Sequence, residues 1–110
     1  MRKDTENFIK SSAYDIETAE HMLDSGRYIY VVFMCHLSLE KMLEAVTAEV
    51  TDMVPPRTHN LLYLTRLAGI SFSEDHFEFI AKINNASVVT WHPEDFCALT
   101  ESFTKEAVSV

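Results

Sequence analysis

Residues 31–46, which read VVFMCHLSLEKMLEAV, decide the fold of this chain. Apolar side chains recur there every three or four residues, and the same seam extends from position 28 to position 50, over roughly six helical turns. Although residues 28–33 are rich in strand-forming types, a strand would need a period of two. The sequence therefore predicts one long central helix from Tyr28 to Val50. The residues of its buried seam are Tyr28, Val31, Val32, Cys35, Leu39, Met42, Leu43, Val46 and Val50.

Similar patterns predict the other elements. An amphipathic helix is expected over about residues 3–24, a short helix over 61–68, a long helix from Ser71 or Ser73 to about position 89, and a last helix from Pro93. Gly26 and Gly69 suit the left-handed position past a helix end, and two consecutive prolines interrupt the pattern after the central helix. The expected buried residues are Phe8 or Ile9, Ala13, Ile16, Ala19 and Leu23 in the first helix, Phe77, Ile80, Ala81, Ile83 and Val88 in the third long helix, and Phe96, Leu99, Phe103 and Ala107 in the last.

These elements predict an all-α, up-and-down four-helix bundle with an additional short connector helix, because short connections favour antiparallel neighbours. The 110 residues fit one domain, residues 1–110, and no linker or internal repeat divides them. The last helix is short for its aromatic content. We therefore expect Trp91, Phe96 and Phe103 to contribute to a homodimer interface.

The composition limits the partners. A formal net charge of −8 repels phosphate backbones and anionic lipid, so unaided binding to long nucleic acid is disfavoured. A single nucleotide held in a local pocket is compatible with this charge, and so is a basic partner protein. The first residues lack the apolar core of a signal peptide, and no run is long enough to span a membrane, which predicts cytoplasmic residence.

Several site chemistries find no support in the sequence. Cys35 and Cys97 lie in apolar helical pattern without ligand spacing, and we expect both to be buried, reduced thiols. Neither Glu-x-x-His nor His-Glu-x-x-His occurs, so no metal site is predicted. With only two glycines there is no phosphate-binding loop, and no cofactor is expected.

One polar row crosses the central helix. His36, Glu40 and Glu44 follow one another at four-residue steps, and Lys41 lies about one hundred degrees to the side. A histidine with a carboxylate one turn later can be an acid/base pair or a hydrogen-bonded orienting pair. The alternative is a polar stripe at the edge of the bundle, where Glu40 simply satisfies His36.

Two further sets of residues can carry chemistry. His59 lies near the start of the short helix, where it can belong to the cap or accept a hydrogen bond from a neighbouring helix. Asn84 and Asn85 come late in a helix that precedes Trp91 and His92. Such residues can line a polar cleft and stack on a base, although Trp91 can equally fill the end of the bundle.

The order of these signals resembles the HEPN domain family, the nucleotide-binding domains of higher eukaryotes and prokaryotes. The resemblance covers about residues 8–103. It rests on LDSGRYIYVVFMCHLSLEKMLEAV (23–46), PPRTHNLLYLTRLAG (55–69) and INNASVVTWHPED (83–95). Many relatives have His-Gln-Ala-x-Glu-Lys in the second helix and Thr-His-Asp-Leu before the short one. Here Leu37 and Ser38 replace Gln-Ala, and Asn60 replaces Asp.

The resemblance implies a helical bundle, usually a homodimer, that is often encoded beside a minimal nucleotidyltransferase in a toxin–antitoxin pair. Toxic members are metal-independent ribonucleases that use an arginine followed after four to six residues by a histidine. The arginines of this chain, Arg2, Arg27, Arg57 and Arg66, have no histidine at that distance. Where non-toxic relatives often have Arg-Tyr-Pro, this chain has Trp91, His92 and Pro93.

The sequence therefore predicts a non-catalytic nucleotide-binding and protein-interaction module that is paired with a nucleotidyltransferase. The expected nucleotide-binding residues are His36, Glu40, Lys41, His59, Asn84, Trp91 and His92. The alternatives are a ribonuclease toxin with a degenerate site and a purely structural bundle. For the ribonuclease, the catalytic candidates are His92, His36 and His59.

Overall fold

The computed structural model of the chain describes residues 1–89, which form four helices and no strand. Helix α1 is Lys3–Asp24, α2 is Tyr28–Thr51, α3 is Leu61–Ala68 and α4 is Glu74–Val89. The described residues form an all-helical bundle that includes a short helix, as predicted. The predicted helix that begins at Pro93 lies outside the described residues, together with Trp91, His92, Cys97 and the proposed dimer contacts Phe96 and Phe103.

The helix ends follow the local signals in the sequence. Gly26 and Gly69 both have positive φ, 78° and 69°, as expected for residues that close a helix. The side chain of Asn60 accepts hydrogen bonds from the backbone N–H groups of Leu62 and Tyr63, so it is the N-cap of α3. Ser73 precedes α4, and its hydroxyl accepts a bond from the N–H of His76 at 3.3 Å.

Helix α2 is the centre of the bundle, because it packs against α1, α3 and α4. The main apolar cluster combines Leu43 of α2 with Leu61 and Leu64 of α3 and Ile80 and Ile83 of α4. Leu61 and Leu64 are fully buried. Burying side chains of this size stabilises the fold by about 1.5–3 kcal/mol each, so the short helix α3 is held mainly by its apolar face.

The predicted seam of α2 is partly wrong. Met42 and Val50 are exposed, whereas His36 and Glu40 are buried. A helix with neighbours on several sides buries more than one stripe, so its polar row is covered as well. Cys35 is a free, half-buried thiol against the core, and burial raises its pKa, which disfavours the reactive thiolate.

The buried face of α1 also differs from the prediction. Ala13 and Ile16 are exposed, and of the two alternatives Phe8 and Ile9 it is Phe8 that is half-buried. Ser12 is buried instead, and its hydroxyl donates to the carbonyl of Ser38 at 2.8 Å while the Ser38 hydroxyl donates to the carbonyl of Ser12 at 3.0 Å. Two small side chains let the helix backbones approach closely, and this contact sets the rotation of α1. The residues buried along this helix are Thr5, Ser12, Asp15 and Ala19.

In the third long helix, Ile80 and Ile83 are buried and Ala81 is half-buried, as expected. The prediction is wrong for Phe77, which is 48% exposed. The side chain of Val88 is outside the described part. Among residues 1–89, no helix has both the length and the apolar character needed to cross a membrane.

Candidate functional site

A carboxylate and an imidazole meet where α2 faces the start of α3. The Nδ1 atom of His59 lies 2.6 Å from Oε1 of Glu40. The Glu40 side chain is only 8% exposed, whereas the His59 side chain is 71% exposed. Since an ionised carboxylate can only accept, Nδ1 donates this hydrogen bond, and the ring orientation is set from the buried side.

His36 lies one turn before Glu40 but does not reach the surface. Its side chain is buried, and it makes hydrogen-bonding contacts with the backbone carbonyl of His59 and the side chain of Asn84. Burial lowers the pKa of His36 below its ordinary value, although the nearby Glu40 charge and these hydrogen bonds oppose the shift. His36 is therefore a neutral imidazole at pH 7 that holds the loop before α3.

Asn84 brings α4 to the same junction. It is buried, and its Oδ1 accepts a hydrogen bond from the backbone N–H of Leu61 at 2.9 Å. That N–H belongs to the first turn of α3 and has no acceptor within the helix, so the amide oxygen of Asn84 satisfies it. His36 and Asn84 thus position the backbone on both sides of Asn60.

Glu44 extends the polar row beyond Glu40. It is half-buried, and burial followed by the repulsion of Glu40 raises the pKa of Glu44 from 4.5 to about 7, while His59 and Lys41 oppose this shift. The junction therefore has two carboxyl groups beside one exposed imidazole. Among the described residues, these carboxyl groups repel a phosphate when they are ionised, and they can form hydrogen bonds with a hydroxyl or amino group.

Lys41 lies to the side of the polar row on α2, as the helical angle predicted. Its Nζ forms an ion pair with Oδ2 of Asp15 on α1 at 2.6 Å. The Asp15 side chain is 10% exposed and that of Lys41 is 25% exposed. In this arrangement Lys41 compensates a buried carboxylate of α1.

The structure thus brings together four of the seven predicted nucleotide-binding residues, namely His36, Glu40, His59 and Asn84. Lys41 joins a different contact, and Trp91 and His92 lie outside the described residues. Whether any of the seven binds a nucleotide stays a prediction.

Sequence reasoning missed Asp15, which lies twenty-six residues before Lys41 in a helix for which only apolar residues were predicted to be buried. It also did not predict that Glu44 is half-buried and has a raised pKa, because helical spacing shows the face on which a residue lies but not how deeply it is buried. Within the described range, no group of three or more His, Cys, Asp or Glu side chains could hold a metal ion.

One of three comparisons with known proteins found a match. Searches of curated proteins and of solved structures found no match. The family model described as HEPN domain matches residues 5–110, which is nearly the whole chain. The chain therefore belongs to the HEPN domain family.

Proposed function

We propose that this HEPN-family chain is a non-catalytic module that binds a nucleotide at the junction of α2, α3 and α4 and pairs with a nucleotidyltransferase. The observation that carries the proposal is the contrast between the two parts of the family pattern. The residues of the helical junction are present and make contacts, whereas no arginine in the sequence is followed after four to six residues by a histidine.

The missing arginine bears directly on catalysis. Negative charge develops on the phosphate in the transition state of RNA cleavage. A preorganised cation that stabilises this charge usually provides a large part of the rate acceleration. In the described region, Arg2 pairs with Asp4 and Asp52, and Lys41 pairs with Asp15. The junction itself has Glu40 and Glu44, which disfavour a bound phosphodiester.

The charge of the chain supports a protein partner. A net charge of −8 attracts a basic surface and speeds its association. We expect the nucleotidyltransferase to present such a surface. An adjacent reading frame that encodes no nucleotidyltransferase, together with failure of the two proteins to co-purify, would contradict the pairing.

Nucleotide binding is tested by thermal unfolding with adenine and guanine nucleotides at millimolar concentration. A ligand that binds only the folded state must raise the melting temperature, so we expect a rise with at least one nucleotide. If none of them changes the melting temperature, the nucleotide-binding part of the proposal is wrong.

The non-catalytic part is tested by incubating the purified protein with RNA in the presence of a chelator. We expect intact RNA. Degradation that is lost in His92→Ala or His59→Ala protein would instead establish a ribonuclease with a degenerate site. Degradation that persists in both variants would be assigned to contamination only if it fails to co-elute with the protein.

A further inference from the structure

The first six residues of α4, EDHFEF at positions 74–79, are all exposed, and the buried positions of this helix begin at Ile80. Two of the six are aromatic: Phe77 is 48% exposed and Phe79 is 52% exposed. They are the exposed phenylalanines among residues 1–89, where the other three are half-buried. Leaving two large rings this open forgoes much of the stabilisation that their burial would give.

The helical spacing shows how these side chains are arranged around α4. Ile80 and Ile83 face the core, and at about one hundred degrees per residue the three carboxylates lie on the opposite side. Phe77 and Phe79 lie about 160 degrees apart, so one ring flanks the carboxylates on each side. We call this surface the α4 ridge. Its residues are Glu74, Asp75, Phe77, Glu78 and Phe79.

Local structure accounts for only part of the α4 ridge. Glu74 and Asp75 lie in the first turn, where negative charge stabilises a helix. Lys82 follows Glu78 by one turn, but among residues 1–89 no ion pair joins it to Glu78. Neither effect explains the two exposed rings. Apolar surface with a polar border is typical of sites that contact another protein.

The charge of the α4 ridge decides among its possible occupants. Three carboxylates without a cation give it a charge of −3 when His76 is neutral. A second copy would bring −3 against −3, and residues 90–110 have four carboxylates and one lysine, so that segment is acidic as well. Nucleic acid and anionic lipid have the same sign of charge. A basic protein surface is the complementary occupant.

We infer that the α4 ridge docks in a cleft of a partner protein, whose apolar walls contact Phe77 and Phe79 and whose lysine or arginine side chains pair with the three carboxylates. A cleft is required because the two rings lie on opposite sides of the ridge. A cation in such a cleft can also contact the face of either ring. This inference rests on the proposed pairing with a nucleotidyltransferase and names the surface that this chain uses.

The aromatic part is tested by calorimetric titration of the full chain with the nucleotidyltransferase of the adjacent reading frame. Buried aromatic contacts commonly dominate binding, so we expect the double variant Phe77→Ser with Phe79→Ser to bind at least about tenfold more weakly. Tyr14→Ser is the matched control, because Tyr14 lies on α1 and is 72% exposed. We expect it to bind as the wild type does, and circular dichroism at the assay temperature verifies that each variant is folded.

The electrostatic part is tested with a triple variant at exposed positions, Glu74→Gln, Asp75→Asn and Glu78→Gln. We expect binding at least about tenfold weaker at low salt and a smaller dependence of affinity on salt concentration. The control changes the net charge by the same three units on α1, through Glu6→Gln, Glu17→Gln and Glu20→Gln. We expect it to weaken binding by less than about threefold, since only long-range attraction is reduced.

A third measurement needs no substitution. A carbodiimide reagent joins a carboxylate to a lysine only where the two are in direct contact. In the wild-type complex we expect such cross-links from Glu74, Asp75 or Glu78 to lysines of the nucleotidyltransferase, identified by mass spectrometry. Cross-links confined to carboxylates of α1 would place the contact elsewhere and overturn the inference.

The outcomes separate this inference from the proposed function. If both ridge variants bind as the wild type does, or if the α1 controls weaken binding equally, docking through the α4 ridge is wrong while the pairing stands. If the wild-type chain does not bind the nucleotidyltransferase, the proposed pairing is itself wrong, and this inference is overturned with it.

Discussion

Asn84 of α4 accepts a hydrogen bond from the backbone N–H of Leu61 at 2.9 Å, and both residues are buried. This bond joins α4 to the first turn of α3. The first N–H groups of any helix have no acceptor inside that helix, so they need partners from elsewhere. An asparagine that the sequence suggested as part of a ligand cleft therefore has a structural role at the helix junction.

Asn84→Ala tests that role. The substitution leaves a buried N–H without an acceptor and also removes a contact of His36, so we expect a loss of about 2–3 kcal/mol in the free energy of unfolding. Urea denaturation measures it. The neighbouring Asn85 is exposed, and Asn85→Ala should change stability by less than about 0.5 kcal/mol. Equal effects of the two variants would contradict this account of the junction.

Glu44 gives stability a dependence on pH. Its pKa is raised from 4.5 to about 7, first by burial and then by the charge of Glu40. The pKa of Glu44 is therefore higher in the folded protein than in the unfolded chain. The stabilisation that comes from its protonation is complete below about pH 4.5 and is lost as the pH rises through about 7.

Glu44→Gln removes this titration. We expect the variant to match the wild type near pH 4.5 and to exceed it by about 1–2 kcal/mol at pH 8, after allowance for the exposed half of the side chain. Chemical denaturation at several pH values measures the difference. Glu78→Gln, at an exposed position of α4, is the control. A variant that is less stable than the wild type at pH 8 would show that ionised Glu44 is favourably paired.

The ion pair of Lys41 with Asp15 joins α1 to α2. Lys41→Met leaves the buried carboxylate of Asp15 without its partner, and we expect a loss of about 2 kcal/mol, less than for a fully buried pair because Lys41 is a quarter exposed. Lys82→Met, at an exposed site, should have little effect. The double variant Lys41→Met with Asp15→Leu should recover most of the loss, since no charge is then unpaired. If it is less stable than Lys41→Met alone, the pair does not act through charge compensation.

Ser12 of α1 and Ser38 of α2 are in close contact, so a larger side chain at either position should destabilise the protein. Ser12→Val removes both hydrogen bonds of the Ser12 hydroxyl and inserts a branched side chain between closely packed helices, which we expect to cost about 2–3 kcal/mol. Ser11→Val, on a less buried face of α1, has the same change in helix propensity and should cost under about 1 kcal/mol. Thermal unfolding followed by circular dichroism compares them, and a Ser11 variant as unstable as the Ser12 variant would argue against close packing at this point.

The helices could be predicted from local signals, because those signals act over a few residues. The bounds of α1 and α3, the start of α2 and the roles of Gly26 and Gly69 all follow from spacing and backbone conformation. The orientation of each helix was less predictable. Met42 and Ile16 continue apolar stripes yet are exposed, because small polar residues such as Ser12 and Ser38 determine where two helices touch.

The candidate site, like the helices, could be predicted from the sequence only in part. The sequence by itself determined the helix order, the HEPN pattern, the row of His36, Glu40 and Glu44, and the lack of an arginine suitably placed before a histidine. Only the tertiary structure decided that Glu40 binds His59 while Lys41 binds Asp15. The physical reason is that helical spacing places side chains on a face, whereas their partners belong to elements tens of residues away. Burial, which makes His36 neutral and raises the pKa of Glu44, exists only after those elements have packed.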